Sequence, residues 1–525
     1  MLLDIVKRNL YQDSVALMQI AAQLKARPGI ADASLMMGTA PNQEILQEAG
    51  LLTADGAAAA PNDLIVALAG EEEAIAGAAA ALDGLLQGRP AAGGARAAAE
   101  PRTLADGLAL LPEANLALIS TPGIYAAAEA EKALRRGLHV MLFSDNVPVA
   151  AEHRLKRFAG ERELLCMGPD CGTAILGGVP LGFANVVRRG GIGVVGASGT
   201  GMQEITCLVD RYGAGISQAI GTGSHDLSRE IGGAMTIQGL RALLADPATA
   251  VVVLVSKPPH PEVAARVLAA AAAGDKPVVV IFLGANPAAL APHASPRMTF
   301  AATLEEAAAL AVARAGGMPP PRGPASVPPG YRPAPGQRWV RGLFSGGTFC
   351  AEALLILTEA LGPIHSNIPL RPDLRLADPG QSVDDTCIDM GDDVYTVGRP
   401  HPMIDATARA ERIRTEGQDP RVAVLLLDVV LGYGAGGDPA GSLAGAIRAA
   451  RADAAGAGRD LAVVANVCGT AGDPQGLESQ RVTLRAAGAT LAPSNAAAAR
   501  LAAALALQAR DATAGLAPVL EGGRA

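Results

Sequence analysis

An internal repeat occupies most of the 525-residue chain beyond residue 190, and it restricts the fold more than any other feature. Each copy opens with a short apolar run, a Gly-rich turn and a helical pattern, and later segments recur in the same order. The matching pairs are GIGVVGASGTG (191–201) with GLFSGGT (342–348), AVVVLVSKPP (250–259) with VAVLLLDVVLG (422–432), and PVVVIFLGANP (277–287) with LAVVANVCGTAGDP (461–474). Chance would have to reproduce all of them in sequence. The repeat therefore predicts two copies of one flavodoxin-like domain, at residues 190–316 and 338–512.

The remainder of the chain also predicts an α/β class. Half of the residues are hydrophobic but only 3% are aromatic, which suits helices packed on buried parallel strands. A strand, helix and strand pattern predicts a Rossmann-like domain at 104–188, and residues 1–90 predict a small open α/β or ferredoxin-like unit. The Gly, Pro and Ala-rich stretches 88–102 and 317–338 are predicted linkers.

Composition argues against several classes of protein. The net charge is −8 and basic residues are scattered, so nucleic acid is not an expected partner. Apolar stretches are too short to span a bilayer, and the first residues lack the apolar core of a signal peptide. The six cysteines form no CxxC pair, which favours reduced thiols over a zinc ribbon or disulfides. We expect a cytoplasmic protein without membrane contact.

The first Gly-rich turn of each copy is a candidate phosphate site. Glycine lets backbone N–H groups approach an anion, hydroxyls add donors, and the following helix N-terminus favours negative charge. A tight turn that merely needs glycine is the alternative, but recurrence in both copies favours binding. The predicted phosphate-binding residues are Ser198, Gly199, Thr200, Gly201, Gly346, Gly347 and Thr348.

Charged residues near these turns are further candidates. Glu204 and Glu352 each follow the threonine of a turn by four residues, either to complement the helix dipole or to act in catalysis. The second loops, 221–233 and 389–405, are polar, and substrate contact is favoured there over metal binding because no metal-site spacing is matched. The predicted catalytic residues are Glu204, Glu352, Arg399 and His401, and the predicted substrate-binding residues are Asp170, Asp392 and Asp393.

Several of these motifs resemble a known family. GPDCGT (168–173) followed by ASGTGMQE (197–204) is similar to the α-subunit of succinyl-CoA synthetase, and the later part of the chain to the CoA-ligase domain of its β-subunit. The combined order resembles the FdrA branch of the NDP-forming acyl-CoA synthetase superfamily over nearly the whole chain. The resemblance implies a CoA-binding type of domain at 104–188, two helix N-termini directed at one phosphate, and Glu204 and Glu352 beside a phosphorylated histidine.

The same resemblance implies oxamate carbamoyltransfer from carbamoyl phosphate, performed with other subunits. The chain departs from the synthetases because His293 lacks the expected Gly-His-Ala context and no Gly-rich fingerprint precedes residue 116. No P-loop is present, so a nucleotide would bind on a partner. The alternatives are an acyl-CoA synthetase subunit that uses CoA and a nucleotide, and a scaffold subunit without catalysis. No cofactor is assigned with certainty and no metal is expected.

Overall fold

The structure is a computed structural model, and its described residues form two compact units. The first unit takes in the described residues between 1 and 111 together with 396 and 400, and the second takes in those between 112 and 395 and between 401 and 514. No helix in the described ranges combines the length and apolarity that a membrane crossing requires. The structure describes residues 1–10, 14–87, 101–321, 327–396 and 400–514.

The first unit is a small α/β unit, as the sequence predicts. Its three antiparallel strands lie in the order β1-β3-β2, and the central strand is buried because apolar clusters cover both of its faces. Its elements are β1 (Leu2–Lys7), α1 (Ser14–Lys25), β2 (Ile30–Met37), α2 (Ala40–Glu48), α3 (Ala54–Ala57), β3 (Leu64–Gly70), α4 (Glu72–Gln87) and α5 (Leu104–Leu110).

The second unit begins with a parallel three-stranded sheet in the order β4-β5-β6. The strand, helix and strand pattern predicted from residue 116 is present, and its helices bury mainly alanine and leucine. The elements are β4 (Leu116–Ile119), α6 (Gly123–Arg135), β5 (His139–Leu142), α7 (Val149–Gly160) and β6 (Cys166–Met167).

A seven-stranded sheet follows, in the order β13-β12-β11-β9-β10-β7-β8. Strands β9 to β13 are parallel and reproduce the flavodoxin-like order 2-1-3-4-5. The hairpin β7–β8 pairs antiparallel with β10, so residues 173–182 join this sheet although the sequence places them in the preceding domain. The elements are β7 (Thr173–Leu176), β8 (Val179–Gly182), β9 (Arg189–Ala197), α8 (Gly199–Arg211), β10 (Ile216–Gly221), α9 (Ala234–Ala245), β11 (Val251–Ser256), α10 (Pro261–Ala272), β12 (Val278–Phe282), α11 (Pro287–Leu290), β13 (Met298–Phe300) and α12 (Leu304–Arg314).

The last sheet repeats the same order with five parallel strands, β15-β14-β16-β17-β18. Strands β9 to β13 therefore correspond one by one to β14 to β18, which confirms the two flavodoxin-like domains. The elements are β14 (Trp339–Phe344), α13 (Gly347–Leu361), β15 (Thr386–Asp389), α14 (Asp393–Thr396), α15 (Thr407–Gln418), β16 (Val422–Val430), α16 (Pro439–Gly456), β17 (Ala462–Cys468), α17 (Leu477–Ala486), β18 (Thr490–Ala492) and α18 (Asn495–Ala514).

Helices from both copies form one layer between the two large sheets. The first and last helices of each copy, α8, α12, α13 and α18, contact one another and share a continuous apolar core with strands of both sheets. The buried face of α18 is built from alanines, including Ala498, Ala499, Ala502 and Ala506, so its neighbours can approach closely. This packing brings the starts of α8 and α13 together.

Candidate functional site

The two predicted phosphate loops are in direct contact. Helix α8 begins at Gly199 just after β9, and α13 begins at Gly347 just after β14. The hydroxyls of Ser198 and Thr348 form a hydrogen bond of 2.7 Å between the loops, and both side chains are buried. Two helix N-termini of the duplicated sheets therefore meet at one place.

Glycine is required where the loops face each other. A methyl group on Gly346 would lie 2.6 Å from Cγ2 and 2.9 Å from Oγ1 of Thr200. A methyl group on Gly201 would lie 3.1 Å from Cγ2 of Thr348. Any larger residue would push the loops apart, so these glycines serve close packing as well as access to the backbone.

The first turns of α8 and α13 keep their backbone donors available. No described side chain caps either helix, whereas Thr303 caps α12 and Asp438 caps α16. The leading N–H groups of a helix have no partner within the helix, and its dipole gives this end a partial positive charge. The meeting point of α8 and α13 is consequently suited to an anion.

Asp389 and Lys257 lie at the start of α13. A methyl group on Gly347 would lie 2.4 Å from Oδ2 of Asp389 and 3.2 Å from Nζ of Lys257. Burial raises the pKa of Asp389 to about 6, and the nearby Lys257 charge opposes the rise. The site thus holds a cation and a carboxyl group that titrates close to neutrality. Asp389 opens the polar loop 389–405, for which substrate contact is expected from the sequence, whereas Lys257 is not among the residues predicted for the site. Each of the two stands at the carboxyl end of a strand, where such sheets bind ligands.

His401 lies beside the second loop as an uncharged ring. Its Nε2 would be 2.8 Å from a methyl group on Gly391, a position that is also 2.9 Å from the Ser345 carbonyl oxygen. Nδ1 accepts a hydrogen bond from the N–H of Met403, so in the neutral ring Nε2 carries the proton. Burial, followed by the charge of Arg409, lowers the pKa of His401 to about 4. At neutral pH this residue is a hydrogen-bond donor without charge.

Glu204 and Glu352 hold helices of the opposite copy. Oε1 of Glu352 accepts from the N–H of Leu304, which begins α12, at 2.7 Å. Oε1 of Glu204 accepts from the N–H of Asn495, which begins α18, at 2.9 Å, and the Asn495 amide donates to Oε2 of Glu352 at 2.8 Å. Both glutamates are fully buried, and burial raises the pKa of Glu352 to about 7. These contacts give both carboxyl groups a structural role, and their catalytic role stays a prediction.

The predicted substrate-binding aspartates lie close to one another and to a further acidic residue, Asp145. Loss of hydration raises the pKa of Asp170 and of Asp393, and the charge of Asp145 raises both further. Both side chains still reach solvent. His225 is close enough to oppose both rises. Asp392 accepts the N–H of Val394 within its own turn. Substrate contact by these residues remains a prediction.

Two candidate residues remain, Arg399 and His293. Arg399 lies outside the described residues. His293 ends an exposed 3₁₀ turn after β12, and its role as a phosphate carrier is untested. Within the described ranges, no three or more His, Cys, Asp or Glu side chains are grouped so that they could hold a metal ion.

Three protein-family models match the chain. A CoA-ligase model matches residues 343–505, a CoA-binding-domain model matches residues 188–284, and a model described as AllF, heavy metal-associated domain matches residues 1–102. The CoA-binding match falls on the seven-stranded sheet and not on residues 104–188, where the resemblance implied a domain of that type.

Similarity to one curated protein extends over nearly the full length of the chain. The uncharacterized protein YahF of Escherichia coli (strain K12) is 42% identical over 498 residues, which cover 94% of this chain and 96% of YahF. The mitochondrial succinate–CoA ligase [ADP-forming] subunit alpha-2 of Trichomonas vaginalis is 27% identical over 182 residues, 33% of this chain and 58% of that protein. The solved dinucleotide-forming acetyl-coenzyme A synthetase 1 of Ca. Korarchaeum cryptofilum, in complex with phosphate and ADP, is 16% identical with a TM-score of 0.30, and covers 77% of this chain and 85% of that one.

The N-terminal segment lacks thiolate and imidazole ligands for a metal ion. Residues 1–102 contain no cysteine and no histidine. Thiolate and imidazole are common ligands of soft and borderline metal ions. The match to a model described as a heavy metal-associated domain is therefore not accompanied by these two donors.

Proposed function

The chain belongs to the family of YahF, a succinyl-CoA synthetase-like family, and from this membership we propose that it is a subunit of an enzyme that forms or cleaves an acyl phosphate. The phosphate group of this mixed anhydride would bind where α8 and α13 meet. The observation that carries the proposal is the Ser198–Thr348 hydrogen bond, because an anion at either helix start would then lie within reach of both loops.

The site offers what such a reaction needs. When the bond between the carbonyl carbon and the bridging oxygen breaks, negative charge accumulates on the departing phosphate. Preorganised N–H groups of two helices and the Thr200 and Thr348 hydroxyls would stabilise that charge, and Lys257 would neutralise part of it. In the opposite direction the same groups would hold orthophosphate while one of its oxygens attacks the carbonyl carbon.

Proton transfer has a candidate in Asp389. With a pKa of about 6, its carboxyl group exchanges a proton near neutral pH, which suits a general acid or base. The neutral His401 would donate a hydrogen bond from Nε2 and keep its protonation state over the same range.

Two acyl acceptors are consistent with this site. The CoA-binding match at 188–284 supports CoA, as in an acyl-CoA synthetase whose nucleotide binds on a partner subunit. The second candidate acceptor is oxamate, with carbamoyl phosphate as the acyl donor and phosphate as the leaving group, a reaction that needs no phosphorylated histidine. His293 lacks the Gly-His-Ala context expected of a phosphate-carrying histidine, which favours this candidate.

The test is a turnover assay on the chain purified with co-expressed partner subunits. Orthophosphate consumption with succinyl-CoA is compared with orthophosphate release from carbamoyl phosphate and oxamate. We expect turnover of one pair, and a loss of at least about tenfold in the Thr200→Val, Thr348→Val double variant because two donors to the phosphate are removed. Thr415→Val, on the exposed face of α15, is the matched control and should retain the wild-type rate. An undiminished rate in the double variant would contradict the site, and no turnover of either pair would contradict the proposed activity.

A further inference from the structure

A cavity lies at the amino-terminal ends of the strands of the five-stranded sheet. Its volume is about 240 Å³, and its lining includes Trp339, the first residue of β14, and Arg510 near the end of α18. The phosphate loop of this domain follows the other end of β14, six residues or about 20 Å away. The cavity is therefore separate from the anion site.

Two ring nitrogens of this cavity are buried without a described partner. They are Nε1 of Trp339 and Nδ1 of His365. An indole N–H can only donate, so it needs an acceptor that the cavity wall does not supply. The Arg338 guanidinium stacks over the indole at 4.8 Å from the ring centre, which directs a positive group toward the same space.

Some charged side chains that line the cavity are paired with each other, and others are exposed to solvent. Arg510 donates to the Asp385 carboxylate and to two backbone carbonyls, so this pair is internally satisfied. Arg338 and Asp384 remain as an exposed cation and an exposed anion, with Arg421 near Asp384. Opposite charges at one cavity match a ligand that carries both.

We propose that this cavity binds a small α-amino acid with an apolar side chain. The ligand carboxylate would accept from Nε1 of Trp339 and from Arg338, and its ammonium group would face Asp384 and donate to Nδ1 of His365. The side chain would pack against Leu361, which also lines the cavity. The volume is below the usual 300–1,000 Å³ of sites for larger ligands, in keeping with a molecule of this size.

Helix α18 connects this cavity to the anion site. Its 20 residues span about 30 Å. At one end Asn495 is bonded to Glu204 and Glu352, which stand on the helices that carry the phosphate loops, and at the other end Arg510 lines the cavity. Helix α18 therefore joins the cavity to the helices that carry the phosphate loops, and amino-acid binding in the cavity does not depend on the proposed function.

Trp339 is the only tryptophan of the chain, so its fluorescence reports on the cavity. The intact protein is titrated with L-alanine, L-valine and L-leucine, and in parallel with 4-methylpentanoate and 3-methylbutylamine, which each lack one charged group of leucine. We expect a saturable emission change with at least one amino acid and a much weaker response to the two analogues. Arg338→Gln and Asp384→Asn should each weaken that affinity at least tenfold, while Arg448→Gln and Asp453→Asn on the exposed face of α16 should not.

Calorimetry on the same samples detects binding that leaves the emission unchanged. If none of the three amino acids produces heat or an emission change, the proposal is overturned. Equal responses to leucine and to the analogues that lack one charge would overturn it as well. Orthophosphate affinity, measured separately, distinguishes the two claims. Loss of amino-acid binding with normal phosphate binding would reject only this cavity, and the reverse result would reject only the anion site.

Discussion

Replacing Gly347 with alanine should weaken orthophosphate binding at the paired loops more than tenfold. The added methyl group would lie 2.4 Å from Oδ2 of Asp389 and 3.2 Å from Nζ of Lys257, so these side chains or the start of α13 must shift. Either shift disturbs the groups that would hold the anion. We expect affinity to fall more than tenfold when orthophosphate is titrated by calorimetry.

Gly445→Ala is the matched control for this substitution. Gly445 stands within α16, and a methyl group there meets nothing within 4 Å. The control should bind orthophosphate as the wild type does and gain about 0.4–1 kcal/mol in stability, because alanine favours the helix. Wild-type phosphate affinity in Gly347→Ala would remove α13 from the proposed site.

Replacing Glu352 with alanine should lower the free energy of unfolding by about 2–5 kcal/mol. The change leaves the Leu304 N–H and the Asn495 amide buried without their acceptor, and each unsatisfied donor costs about 1–3 kcal/mol. Glu352→Gln keeps one acceptor and the side-chain volume, so its loss should be smaller. Denaturant unfolding of both variants measures the difference, and equal stability of Glu352→Ala and wild type would show that the two copies are joined without this residue.

The same residue should make stability depend on pH. Burial raises the pKa of Glu352 from 4.5 to about 7, so between these values the folded state keeps a proton that the unfolded state has lost. Stability should therefore fall as pH rises from about 4.5 to 7, by an amount on the order of 3 kcal/mol. Glu352→Gln should lack this part of the slope. Identical pH profiles for wild type and Glu352→Gln would contradict the assignment.

Much of the fold follows from sequence because the strands of the two large sheets are buried on both faces. Such strands appear as continuous apolar runs, and β11 and β16 are examples in which every residue is buried. Strands β13 and β18 have only three residues each and give no comparable signal. The pairing of the β7–β8 hairpin with β10 depends on tertiary contacts that local pattern does not encode.

The candidate site likewise has one part that the sequence predicts and another that it does not. The phosphate loops are recognisable because glycine, hydroxyl residues and a helix start are contiguous in each copy. Lys257 and Asp389 reach Gly347 from strands of different sheets, so their proximity is invisible to a linear motif. The partners of Glu204 and Glu352 are likewise distant in sequence, and the crossed capping of α12 and α18 requires the assembled helical layer.

The stoichiometry of orthophosphate binding tests the central claim most directly. If the starts of α8 and α13 form one site, calorimetry should find a single ion per chain, and Thr200→Val or Thr348→Val alone should weaken that same event. Two independent ions per chain, each affected by only one of the substitutions, would contradict a shared site.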